Sequence, residues 1–216
     1  MEFFYKQYIY QHNGEIRRWT IPYDMVIRGD VDMSNMGLKE LPDLSAVTVT
    51  GNFNCSGNQL TSLVGAPKSV GGSFYCHDNQ LTSLKGVTQQ INNNFNCCHN
   101  KLTSLAGSPQ SVGGFFDCSI NALTSLAGGP QSVGGWFNCC DNNLTSLEGA
   151  TQSVGGDFIC FRNRLLKSLA GFKSEIGGLF MCGSERLQQE YEEIKKARLA
   201  EQMKNNMLSQ AMIHSK

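Results

Sequence analysis

Ser111-Val112-Gly113-Gly114-Phe115-Phe116-Asp117-Cys118-Ser119-Ile120-Asn121-Ala122-Leu123-Thr124-Ser125-Leu126 decides the fold, because near copies of this string lie on both sides of it. Cys55, Cys76, Cys97, Cys118, Cys139 and Cys160 follow one another every 21 residues, and Cys182 comes after 22. Phe53, Phe74, Phe95, Phe116, Phe137, Phe158 and Phe180 stand two residues ahead of each cysteine. Asn58, Asn79, Asn100, Asn121, Asn142 and Asn163 stand three behind, and Leu60, Leu81, Leu102, Leu123, Leu144 and Leu165 two further on. A weaker copy, Ile27, Val31, Met33, Leu38 and Leu41, precedes them. Strand-like segments therefore begin at Ile27, Val49, Val70, Ile91, Val112, Val133, Val154 and Ile176. The chain is a repeat protein.

The unit has a physical logic. Phe-x-Cys alternates with period two, so both side chains point to one face of a short strand. Asn-x-Leu-Thr-Ser-Leu then supplies a corner and two more inward leucines. One coil cannot bury its apolar side alone, whereas stacked copies pair their strands in parallel around a continuous core. At about 4.8 Å per strand the array is about 35 Å long. Glycine pairs such as Gly113-Gly114 and Gly134-Gly135 suit a left-handed or crowded backbone before each strand, and Asn92-Asn93 replaces one pair with the next most tolerant residue at positive φ.

The pattern Phe-x-Cys-x-x-Asn-x-Leu-Thr-Ser-Leu resembles the core of short bacterial leucine-rich repeats. It lacks the Leu-Pro-x-Leu-Pro segment of the repeats in secreted effectors of bacterial pathogens. The fuller string from Gly65 to Cys76 is more similar to leucine-rich-repeat proteins encoded by tailed bacteriophages and related mobile elements. That resemblance implies a leucine-rich-repeat β-solenoid over 27–184, with a parallel β-sheet of about eight short strands. It also implies a non-enzymatic protein that binds a host or phage protein in the host cell cytoplasm. A structural virion component or self-assembling scaffold is the alternative.

The ends differ in texture. Phe4 to Tyr10 and Ile16 to Ile21 flank Asn13-Gly14, which reads as a β-hairpin cap within 1–26. From Glu185 the chain reads as a helix, 185–216, with Leu187, Tyr191, Ile194, Leu199, Met203 and Met207 approximating one stripe. It either caps the last coil or projects, and the methionines at 203, 207 and 212 suit self-association.

Composition narrows the chemistry. With 18 basic and 18 acidic residues the chain lacks the basic excess that nucleic acid or an anionic membrane requires. No stretch approaches a membrane span and the first twenty residues lack the apolar core of a signal peptide, so a cytoplasmic location is expected. Nine cysteines cannot all pair, and those in the inward column read as small buried hydrophobes in a reducing compartment. Cys98 and Cys140 leave that column. Cys98 adjoins His77, Asp78 and His99, yet no Cys-x-x-Cys or His-x-x-x-His spacing supports a metal site. None of the four histidines, 12, 77, 99 and 214, sits beside a serine or acid in a recognised catalytic arrangement. No catalytic residue, metal or cofactor is assigned. Arg28-Gly29-Asp30 and Asn143-Leu144-Thr145 match short motifs through the period alone.

What the period leaves free is the outward side of the Phe-x-Cys strands. The early rows, such as Asn52, Asn54 and Ser56, are polar. Later rows bring Phe115 and Asp117, Trp136 and Asn138, Asp157, Ile159 and Phe161, and Leu179 and Met181. With Tyr75 these form the expected partner-binding face, its apolar part open unless the C-terminal helix folds back over it.

Overall fold

The computed structural model describes residues 25–214, with side chains to Gln210. The hairpin expected between Phe4 and Ile21 lies outside the described residues. The repeats wind into a β-solenoid in which every strand pairing is parallel. An eight-stranded sheet carries Val31–Asp32, Phe53–Asn54, Phe74–Tyr75, Phe95–Asn96, Phe116–Asp117, Phe137–Asn138, Phe158–Ile159 and Phe180–Met181, in coil order. Each coil also contributes a second short strand, so the single expected segment from valine to cysteine is broken in two. Val26–Ile27, Thr48–Val49 and Ser69–Val70 pair as one group. Gln90–Ile91, Ser111–Val112, Ser132–Val133, Ser153–Val154 and Glu175–Ile176 pair as another. The glycine pair is the corner between the two strands of a coil.

The reason for those glycines is close approach and not handedness. The positive-φ glycines include Gly57, Gly65 and Gly107 but neither member of any pair that precedes a Phe-x-Cys strand. A Cβ on Gly134 would lie 2.1 Å from the Gly113 carbonyl oxygen, and one on Gly155 would lie 2.2 Å from that of Gly134. At these coils glycine lets successive corners nest. Asn92 carries a Cβ where Gly71, Gly113, Gly134, Gly155 and Gly177 carry none, and the second ladder breaks between Ser69–Val70 and Gln90–Ile91. There the Asn92 side-chain amide donates to Gly71 O at 3.1 Å, whereas elsewhere the backbone donates directly, as Gly113 N–H does to Ile91 O at 2.9 Å. Gly134→Ala is therefore expected to cost about 2–3 kcal/mol, read from chemical denaturation, because backbone rather than a flexible side chain must give way. A loss below about 0.5 kcal/mol would show that the corners nest less closely.

The core follows the inward columns. Phe53 to Phe158 at 21-residue intervals are fully or almost fully buried, with successive ring centroids 5.1 to 5.7 Å apart. The cysteines from 55 to 160 lie beside them, free and buried, and burial raises their pKa values. The one-residue insertion in the last coil falls before Leu166: Leu166 and Leu169 are buried while Leu165 is 53% exposed. Leu165 thus does not hold the place that its spacing predicts.

The asparagine column joins coils. The Asn142 side-chain amide donates to Cys118 O in the coil before and to Cys139 O in its own, at 3.1 and 3.2 Å. Its oxygen accepts Leu123 N–H of the previous coil at 2.9 Å. Asn79, Asn100, Asn121 and Asn163 repeat this bridge.

Helix α1, Glu185–His214, closes the C-terminal end. The Ser184 hydroxyl accepts Leu187 N–H at 3.4 Å as its N-cap. Leu187 and Tyr191 are buried, and the Tyr191 ring stacks on Phe180 at 4.4 Å. Glu190 accepts Leu169 N–H at 2.8 Å and the Ser168 hydroxyl at 2.7 Å. Arg198 donates to the carbonyls of Phe172 and Ser174. These side chains stand in for the coil that does not follow. Beyond Arg198 the single stripe fails: Leu199, Met203, Met207 and Leu208 are all more than half exposed, so the helix both caps and projects. Among the described residues no helix is long and apolar enough to cross a membrane.

Candidate functional site

The outward face of the eight-stranded sheet has three columns, set by residues before, within and after each strand. The first column sits at the corner and runs Asp30, Asn52, Ser73, Asn94, Phe115, Trp136, Asp157 and Leu179. Its polar members do structural work, each accepting the amide N–H of its counterpart one coil on. Asp30 accepts Asn52 N–H and Asn52 accepts Ser73 N–H, both at 2.7 Å. Ser73 accepts Asn94 N–H at 3.2 Å, Asn94 accepts Phe115 N–H at 3.1 Å and Asp157 accepts Leu179 N–H at 2.8 Å. Phe115 and Trp136 have no side-chain acceptor to offer there. Leu179 lacks one too, but no further coil awaits it. The two aromatic side chains instead stack on each other, centroids 4.2 Å apart and planes 3° from parallel.

The second column is also partly committed to the fold. Asp117 Oδ1 accepts Ser119 N–H at 2.9 Å and the Ser119 hydroxyl at 2.6 Å, which leaves the residue only 9% exposed. Asn138 accepts Cys140 N–H at 3.0 Å, as Asn54 and Asn96 do for Ser56 and Cys98. These are side-chain-capped turns that end the strands. Tyr75, Ile159 and Met181 in this column are half-buried, as is Phe161 in the third, while Leu179 is 65% exposed. The apolar rows at 159, 161, 179 and 181 continue the face toward the helix. Helix α1 seals the end of the core and leaves Leu179 uncovered.

The remaining chemistry-bearing residues gather one coil-edge away. Asp78, at φ +54°, holds His77 Nδ1 at 2.7 Å and also bonds His99 Nδ1. The hydrogen bond from His77 leads the effects that lower the Asp78 pKa. Cys98 is pushed up to about 12 by burial first, then by the charges of Asp117 and Asp78, and Cys140 is raised mainly by burial. A raised thiol pKa leaves little thiolate at neutral pH, the reverse of what a nucleophile or ligand needs. Among the described residues no group of three histidines, cysteines or carboxylates is placed to hold a metal. A groove of about 700 Å³ runs across the second ladder over Ser111, Ser132 and Ser153 and the neighbouring glycines. Its lining repeats with the coil, so it converges no distinctive set of groups.

The sequence groups these residues on the outward side of the strands but does not show their division of labour. The signal was present in the first column, where Asp, Asn and Ser alternate with the aromatic pair. Without the hydrogen bonds their common task could not be read. Compared with protein-family models, curated proteins and solved structures, the chain has no match.

Proposed function

We propose that the protein is a non-enzymatic protein-binding module that engages its partner through the outward face of the eight-stranded sheet, centred on Phe115 and Trp136. One observation carries this reading. In this column the fold asks for a side-chain acceptor to cap the next coil, and at two interior coils the chain gives up that cap for a stacked aromatic pair. Phe115 and Trp136 are half-buried, and side chains that cost the scaffold a hydrogen bond while keeping part of a large ring at the surface suit the anchors of an interface. Ile159, Phe161, Leu179 and Met181 extend the same patch. The inter-coil asparagine bridges support the relationship to leucine-rich repeats, and the resemblance to bacteriophage-encoded members makes a host or phage protein in the host cytoplasm the proposed partner. Trp136→Ala should keep the fold and weaken partner capture from host lysate by about 2 kcal/mol or more. Undiminished capture by a folded variant would remove the site from this face.

The projecting end of helix α1 favours a second reading, a self-assembling scaffold, because Leu199, Met203 and Met207 are exposed. Light scattering separates the two. A monomer that captures a partner supports binding, and assembly lost on Met203→Glu supports the scaffold.

A further inference from the structure

The chain is neutral, with 18 basic and 18 acidic residues, but its charges are sorted. The three outward columns hold Asp30, Asp32, Asp117 and Asp157 and not one lysine or arginine. Asp157 follows Trp136 in the first column, one coil on, while the nearly buried Asp117 lies one coil back beside Asn138 in the second, since the Phe137–Asn138 strand pairs with Phe116–Asp117 and Phe158–Ile159. Phe115 covers one face of the indole at 4.2 Å. The second face is therefore turned toward the coil of Asp157. Each carboxylate makes its structural bonds through one oxygen, Oδ1. Among the described residues the other oxygen of each has no hydrogen-bond partner.

A flat ring face beside a carboxylate with a spare oxygen, on a surface without cations, suits one side chain above others. A guanidinium is planar, stacks on an indole, and turns N–H donors outward from its edge to an acid. The ammonium of lysine matches the charge but not the flat face. We infer that this surface takes an arginine-bearing basic segment of a partner protein, with a guanidinium laid on Trp136 and its edge toward Asp157. Asp117 supplies the adjacent negative charge. The inference rests on the proposed binding face and specifies the chemistry of its partner.

Fluorescein-labelled hexa-arginine, hexalysine and hexaglutamate peptides, read by anisotropy against the full chain, test it. The informative variant is Asp117→Asn with Asp157→Asn. Asparagine already makes the same caps at 54, 96 and 138 and at 52 and 94, so the fold is retained while two charges go; thermal melts check this. Hexa-arginine should bind more tightly than hexalysine, and the double variant should weaken it about tenfold. The residual binding should also depend less on salt. Hexa-arginine binding that survives the double substitution, or that hexaglutamate equals, overturns the inference. If Trp136→Ala abolishes capture of the lysate protein while the double variant captures it normally, the binding face stands and the arginine assignment fails. Normal capture by both variants overturns both.

Discussion

Phe116→Ala is expected to lower the free energy of unfolding by about 4 kcal/mol, the largest effect of any single truncation in this chain. Phe116 is fully buried at the centre of the stack, with Phe95 at 5.4 Å and Phe137 at 5.2 Å. Truncation removes the ring's transfer energy and both aromatic contacts together. The gap cannot close by local collapse, because the strands above and below are held in register by backbone hydrogen bonds at 2.8 to 3.0 Å. In a solenoid each coil touches only its neighbours, so a weak central coil also divides the array. Urea denaturation should show a lower midpoint and a shallower or two-step transition. A single transition displaced by less than about 1 kcal/mol would mean that neighbouring phenylalanines refill the space.

Asn142→Leu comes next, at about 3 kcal/mol, although it replaces a polar residue in the core by an apolar one of similar size. The substitution orphans Leu123 N–H, which water cannot reach easily beside a residue only 5% exposed, and it takes one of two asparagine donors from the carbonyls of Cys118 and Cys139, which keep Asn121 and Asn163. Each buried group left without a partner costs about 1–3 kcal/mol. Asn142→Leu should therefore destabilise far more than Thr145→Leu, an exposed change three residues away. Comparison of the two denaturation midpoints checks it, and equal losses would show that the bridge is dispensable.

Both expectations concern columns that the bare sequence makes plain. Period-two alternation places Phe and Cys inside, and the Asn three residues after each Cys reads as part of a corner, whereas its backbone partners are seen only in the structure. The helix was legible as well, through Leu187 and Tyr191. What the spacing could not convey is which backbone atom each residue approaches. Gly113 and Gly134 repeat whether they turn the chain or let two corners nest, so the nesting needed coordinates. Leu165 and Leu166 are both apolar, so only the path of the chain decides which enters the core. On the face, Asp117, Asn138 and Asp157 read as recognition groups, yet each ties the scaffold together through a local cap. Phe115 and Trp136 remain as the residues with no such task.

The asparagine bridge also orders events in time. Each interior coil keeps an unsatisfied leucine amide until the asparagine of the next coil arrives, one repeat later in synthesis. A chain emerging from the ribosome thus leaves its newest coil open until the next asparagine has been made. Termination needs a different closing group. Glu190 supplies it, reaching back from helix α1 to Ser168 and Leu169. The helix is the last part of this structure to be made, and until it is in place the solenoid ends on an unfinished turn.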